Sequence, residues 1–272
     1  MSKQFEYPLG YSDLEAKRLL WQAALAEDML EDCLRRGGLE RGMRVLDLGS
    51  GLGDVSFLAA RFVGREGSVT GVERWGPSLQ IACGRREEKG LRNVKFVQST
   101  LEDFQSEENF DAIIGRFILQ YVPTRVQILM RLKRYLNGGG IVIFQELDNS
   151  GASEFPPSKL FSDVRGWISL AFQATGSVHD MGALLPRTFL EAGLPRPQMI
   201  SMGRVESGPD TPYHEFLTDV LRSVLPVLHQ ISGPTPETID IDTLADRLRH
   251  DAVTHERTLY SSRVVSAWAK AA

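Results

Sequence analysis

The chain has 272 residues, of which 42% are hydrophobic and 24% charged, a globular composition long enough to bury a core without staples. Lys and Arg number 31 against 35 Asp and Glu, a net charge of −4, so no global attraction draws the chain to nucleic acid or to an anionic membrane, and neither is expected as a partner. Two cysteines, Cys33 and Cys83, form neither a disulfide framework nor a CxxC motif; reduced thiols in a cytoplasmic protein are expected, and no metal site. The opening residues MSKQFEYPLGYSD lack the apolar run of a secretion signal, and no stretch approaches the roughly 20 apolar residues of a membrane span.

In chain order, residues 12–36 predict a helix, with apolar residues near helical spacing, a Ser12/Glu15 capping pattern and a stop at Gly37-Gly38. From residue 44 short apolar runs alternate with amphipathic ones. Strands are predicted at 44–48, 68–73, 93–98, 110–115 and 140–146, and helices at 55–63, 77–90 and 123–137. Pro77 and Pro123 suit first helical turns, and Gly90 and Gly138 suit helix ends. Apolar strands alternating with helices imply a parallel sheet covered on both faces. Beyond 147 the reading gives a helical stretch at 158–176, a short helix at 187–193, a strand at 197–203, helices at 212–230 and 241–258, and a last strand at 264–269.

The segment VLDLGSGLGD (45–54) runs from a buried strand through Asp47 into Gly49-Ser50-Gly51-Leu52-Gly53 and then a helix. Glycines serve where the backbone bends sharply and a ligand approaches with no side chain between. The dinucleotide fingerprint GxGxxG is not met, because the third glycine comes one residue early and Asp54 stands in its place. A carboxylate there is a poor neighbour for a pyrophosphate, whereas a phosphate-free nucleoside bearing a sulfonium and an ammonium tolerates acids nearby. Glu73, at the end of the second strand, is placed to accept ribose hydroxyls, with Trp75 beyond it either a flat surface for adenine or a loop aromatic or core filler. Thr100, Leu101 and Glu102, after the third strand, are candidates for the adenine amino edge, against the bland alternative of a capped turn. Arg116 and Phe117 end the fourth strand on the ligand side, Arg116 able to hold a carboxylate or to form a structural ion pair.

VLDLGSGLGD, GVER (71–74), the LEDF segment (101–104), FDAIIGRFILQYV (110–122) and LNGGGIVIFQE (136–146), in this order and spacing, resemble class I S-adenosylmethionine-dependent methyltransferases, strongly over residues 40–150. The resemblance is to small-molecule methyltransferases of bacteria. It implies an α/β fold: a Rossmann-like, doubly wound seven-stranded sheet of order 3-2-1-4-5-7-6 with the last strand antiparallel. It further implies one domain: an N-terminal helical cover (1–40), a cofactor-binding core (40–150), a substrate-side lid with helical insertions (151–262) and a last strand (263–272). The implied cofactor is S-adenosyl-L-methionine, with Asp47, Gly49, Ser50, Gly51 and Gly53 at its methionine half, Glu73, Arg74 and Trp75 beside the ribose and adenine, Thr100, Leu101 and Glu102 at the adenine, and Arg116 and Phe117 completing the set. Where family members often carry Gly-Asp-Ala at the adenine, this chain has Ser99-Thr100-Leu101. Tyr7, Tyr11 and Gln22 are candidates to fold over the cofactor.

The implied reaction is an in-line displacement that methylates a small acceptor of aromatic or polyketide type, by a monomer or homodimer. His179, His214 and Glu146 are the candidates for a general base. The late apolar segments are candidates to roof an acceptor pocket, although helix packing explains the same residues. Two other readings compete: an S-adenosylmethionine-binding protein of this fold with cyclase-like or regulatory activity, and a nicotinamide dehydrogenase, which Asp54 disfavours. The fourth strand ends in Gly-Arg-Phe rather than the Asn/Asp-Pro-Pro-aromatic run of DNA amino-methylating enzymes.

Overall fold

The computed structural model describes residues 18–22, 26–231 and 239–271. Tyr7, Tyr11, the Ser12/Glu15 pattern and the segment 232–238, which the sequence predicts as a loop between two late helices, lie outside the described residues. The chain forms two compact units. One, the sheet unit, comprises Ala23–Glu146, Met181–Ser201 and Val264–Ala272; the other takes the described residues of Met1–Gln22, Leu147–Asp180 and Met202–Arg263.

The sheet unit opens with α1 (Glu27–Arg36) and then alternates: β1 (Arg44–Leu48), α2 (Asp54–Val63), β2 (Ser68–Glu73), α3 (Gly76–Glu88), β3 (Val94–Gln98), β4 (Phe110–Arg116), α4 (Arg125–Leu132) and β5 (Leu136–Asp148). The remaining elements of the large sheet come late in the chain: β7 (Gln198–Met202), after α6 (Met181–Glu191), and β10 (Arg263–Lys270). The sheet order is β3-β2-β1-β4-β5-β10-β7. Counted along the chain within this sheet, that is the expected 3-2-1-4-5-7-6. The pairs β1–β2, β1–β4, β2–β3 and β4–β5 are parallel. Ala271 N donates to Gly140 O, and Gln145 Nε2 donates to Ser266 Oγ, so partner numbers fall along β10 as they rise along β5, which makes that pair antiparallel.

The strands are buried because both faces are covered. Val45, Leu46 and Leu48 of β1 are wholly enclosed, as are Ala59 and Val63 of α2. Each such Leu or Val contributes about 1.5–3 kcal/mol on burial. Phe144 of β5 meets Phe189 of α6 edge-on, ring centroids 6.1 Å apart. Gly138 lies inside β5 and is not a helix end. The reason is local: α4 closes at Leu132, a 3-10 turn covers Lys133–Tyr135, and extended backbone begins at Leu136.

The second unit is built from α5 (Lys159–Ala174), α7 (Tyr213–Gln230), α8 (Leu244–Thr254) and a small antiparallel sheet of order β6-β9-β8, from β6 (Ser153–Phe155), β8 (Val205–Ser207) and β9 (Thr258–Tyr260). The Ser158 hydroxyl caps α5 by accepting Phe161 N at 3.2 Å. The helix expected over 241–258 stops at Thr254, Glu256 takes a positive φ of 50°, and the chain then enters β9. The three strands of this sheet were not expected, since three residues are too short to display an alternation.

Candidate functional site

The site is assembled where β1, β2, β4 and β5 end. Asp47 is buried near the end of β1. Its Oδ2 accepts the Ser56 hydroxyl from α2 at 2.5 Å, while Oδ1 has no partner among the described residues, and Ser50 Oγ is likewise buried and without a partner among them. Burial pushes the Asp47 carboxyl up to about 7; Ser56 and Arg116 oppose the rise, and Glu73 and Asp54 add to it. The loop that follows needs glycine for two different reasons. At Gly53 φ is +90°, and a β-carbon would come within 2.6 Å of the Phe57 ring. At Gly51 φ is +53°, and a β-carbon would meet nothing within 4 Å, so bare backbone faces open space.

Glu73 ties this loop to the second strand. Its Oε2 accepts Gly51 N at 3.0 Å and its Oε1 accepts Trp75 N at 2.8 Å. Each carboxylate oxygen keeps a lone pair for a further donor. Trp75 precedes α3 and is 38% exposed, presenting part of its ring to solvent. Arg74 is exposed, and its carbonyl accepts Gln98 Nε2 at 3.4 Å. Asp54 is paired: Arg85 Nη2 reaches its Oδ1 at 2.6 Å, Arg85 Nη1 donates to Leu52 O at 2.6 Å, and the guanidinium sits 5.3 Å over the Phe57 ring. Arg85 therefore clamps the loop, and its donors are already engaged at the point where a pyrophosphate would need them. Sequence reasoning missed Arg85 and Ser56; only their partners in the loop drew attention.

Arg116 is half-buried at the end of β4, and its guanidinium makes no hydrogen bond among the described residues but lies 5.6 Å from the centroid of the Phe117 ring. Burial lowers its pKa, while the fields of Asp54, Asp47 and Glu27 act the other way. Phe117 has a φ of +51°, a strained value for an aromatic residue, and its N–H donates to Gln145 O at 2.8 Å. The structure thus gathers Asp47, Gly49, Ser50, Gly51, Gly53, Glu73, Trp75, Arg116 and Phe117 on neighbouring strand ends. The adenine candidates follow the capped-turn alternative more closely. Thr100 Oγ1 donates to Asp103 Oδ2 at 2.7 Å and accepts Asp103 N at 3.1 Å; Leu101 is buried, its carbonyl bonded by Arg131; Glu102 accepts the Thr124 hydroxyl at 3.0 Å.

The candidates for a general base are all engaged or enclosed. Glu146, at the end of β5, is wholly buried, and its Oε1 accepts Leu119 N at 2.7 Å and Ile118 N at 3.0 Å. Burial pushes its carboxyl up to about 8, against these N–H groups and Arg125. His179 and His214 belong to the second unit. His214 Nε2 meets Glu154 Oε1 at 2.8 Å, both side chains 1% exposed. The His179 ring lies tilted at 54° against Phe172 with centroids 5.3 Å apart, and burial lowers the pKa of its imidazole against the opposing field of Asp180. Gln22, also in the second unit, accepts Arg18 Nη1 at 2.8 Å.

Strand order and the acid-bearing glycine loop define an α/β nucleoside-binding fold. A family model described as a methyltransferase domain matches residues 39–177. The chain belongs to this family, as the motif resemblance to class I S-adenosylmethionine-dependent methyltransferases implied. It is 33% identical over 114 residues to the arsenite methyltransferase of Aquipseudomonas alcaligenes, covering 39% of this chain and 33% of that protein. It is also 33% identical over 117 residues to the ubiquinone/menaquinone biosynthesis C-methyltransferase UbiE of Idiomarina loihiensis, covering 42% of this chain and 45% of that protein. The chain thus spans half or less of the length of these curated relatives. In fold it is similar to a putative methyltransferase of Bacillus halodurans, with a TM-score of 0.57 and 16% identity over 89% of this chain and 97% of that one. The [4+2]-cyclase SpnF gives a TM-score of 0.52 at 18% identity, over 91% and 82%. No helix of the described residues is long and apolar enough to cross a membrane.

Proposed function

We propose that the chain transfers a methyl group from S-adenosylmethionine to a small organic acceptor. The observation that carries this reading is the pair of buried, unpartnered acceptors, Asp47 Oδ1 and Ser50 Oγ, beside bare backbone at Gly51. A buried polar atom without a partner is costly, and a cationic or hydroxylated ligand that donates to it removes the cost. S-adenosylmethionine fits this donor and acceptor set. Its ammonium suits Asp47, its ribose hydroxyls suit Glu73, its carboxylate suits Arg116, and the exposed face of Trp75 suits its adenine, with Thr100, Leu101 and Glu102 at the far edge.

When bound, the cofactor supplies an electrophilic methyl group on a sulfonium. The chain's own part is to orient it and to keep water from the strand ends. Proton removal is not assigned to Glu146, whose bonded oxygen is spent on backbone N–H groups. An acceptor whose nucleophile needs no strong base therefore suits the sheet unit best, such as a carbon or soft heteroatom centre. The relatives named for arsenite and for quinones are of that kind in name. The second reading, cofactor binding without methyl transfer, draws on the same lack of a free base.

Calorimetry tests the cofactor that both readings share. S-adenosylmethionine and S-adenosylhomocysteine are expected to bind, and nicotinamide dinucleotide is not; the reverse overturns the proposal. Glu73→Ala is expected to weaken cofactor binding by about 1.5–3 kcal/mol, the size of hydrogen bonds to a charged group. Methyl-labelled cofactor incubated with arsenite and with phenolic, quinol and polyketide acceptors then distinguishes transfer from binding alone.

A further inference from the structure

We infer that Glu146 is a positioning residue for the cofactor: its buried carboxyl holds the backbone of 118 and 119 so that Arg116 and Ile118 stay fixed against the glycine loop. This rests on the cofactor reading above. Three successive N–H groups after β4 turn toward the end of β5. Phe117 N donates to the Gln145 carbonyl at 2.8 Å, and Ile118 N and Leu119 N converge on Glu146 Oε1 at 3.0 and 2.7 Å. The positive φ at Phe117 is what aims them there, and a conformation so unfavourable for an aromatic residue persists only where the surroundings hold it.

The held segment touches the cofactor loop directly. The Ile118 side chain lies over Gly49 so closely that a β-carbon on Gly49 would collide with its Cδ1, and it also lies against Gly115. Arg116 stands immediately before the kink, and its field opposes the rise of the Asp47 pKa. Releasing 118 and 119 would therefore free both the cation proposed for the cofactor carboxylate and the apolar side chain that backs Gly49. Leu119 is buried, so its N–H has no water to fall back on when the carboxyl is removed. Arg125 is the charged group that faces Glu146.

The test compares Glu146→Ala, Glu146→Asp and Glu146→Gln for S-adenosylhomocysteine affinity by calorimetry, with thermal melting to confirm folding. Glu146→Ala and Glu146→Asp, which remove or withdraw the acceptor, are expected to weaken binding at least tenfold. Glu146→Gln keeps one carbonyl acceptor and is expected to stay within about threefold of the unaltered protein near neutral pH. A carboxylate accepts N–H bonds more strongly than a neutral carboxyl, so the affinity ratio of unaltered protein to Glu146→Gln should rise as pH passes about 8. Amide hydrogen exchange over 116–121 in the unliganded protein should be faster in the Asp and Ala variants. Should the Ala variant not fold, the Asp variant decides. Affinity within twofold of the unaltered protein for the folded shortened variants overturns the inference, as does a pH-independent ratio. Failure of the unaltered protein to bind the nucleoside at all would instead overturn the cofactor reading.

Discussion

In the sheet unit Asp47 and Glu146 are buried against neutral donors, a hydroxyl for one and backbone N–H groups for the other, and each leaves one oxygen without a partner. In the second unit Glu154 is buried too, but its Oε1 meets an ionisable partner, His214, while its Oε2 and His214 Nδ1 have no partner among the described residues. The first arrangement leaves a carboxyl that resists ionisation, which is why burial raises both acids. The second sets an acid against a base, so that removing either leaves the other buried without it.

The largest expected effect comes from breaking the pair. Glu154→Ala or His214→Ala leaves one buried partner alone, and a loss of about 3–5 kcal/mol is expected in urea unfolding followed by second-unit probes. Replacing both, as Glu154→Leu with His214→Phe, should recover most of that loss. A single substitution costing under about 1 kcal/mol, within the range of ordinary surface changes, would erase the contrast between the two regions.

Next is Gly51→Val, which acts on the sheet unit alone. The open space at Gly51 admits a side chain, so the cost to folding is the positive φ, about 1–2 kcal/mol. The same side chain would occupy the space proposed for the cofactor, so nucleoside affinity should fall at least a hundredfold while cooperative melting survives. Affinity within threefold of the unaltered protein would mean that the ligand approaches elsewhere.

How much of this was legible beforehand differed between the same two regions. β1 to β5 and β10 could be read because each is long enough to show a continuous apolar run, and the glycine loop because its bends demand glycine. Asp47, Glu73 and Arg116 sit at strand ends, where a parallel sheet presents ligand-facing groups, so the topology pointed to them. The Glu154–His214 pair was hidden because its partners are 60 positions apart, on a three-residue strand and a helix. The hold of Glu146 on 118 and 119 was equally hidden: the acceptor is a side chain, but the donors are backbone groups that carry no residue-type signal. Arg85 lies 31 positions from Asp54, on a helix whose apolar pattern is weak.

The smallest expected effect is a slope with pH. Asp47 has a folded pKa of about 7 against an ordinary 3.8, so between those values the unfolded chain has released a proton that the native state keeps. The contribution of Asp47 to stability is therefore fully present below pH 3.8 and is lost as pH rises toward about 7. A bound ammonium reverses the preference, because it favours the carboxylate. Cofactor binding should then release a proton at pH 6, and affinity should fall by up to about tenfold for each pH unit below 7. Arg116, Glu73, Asp54 and the Ser56 hydroxyl all act on Asp47, and all remain in Asp47→Asn, so the difference between the two proteins isolates the one carboxyl. Calorimetry between pH 5.5 and 8 in buffers of different ionisation enthalpy measures the proton count directly, and Asp47→Asn is expected to bind weakly with the slope removed. Equal slopes in both proteins would show that Asp47 stays protonated beside the ligand, and would make it a structural acid like Glu154.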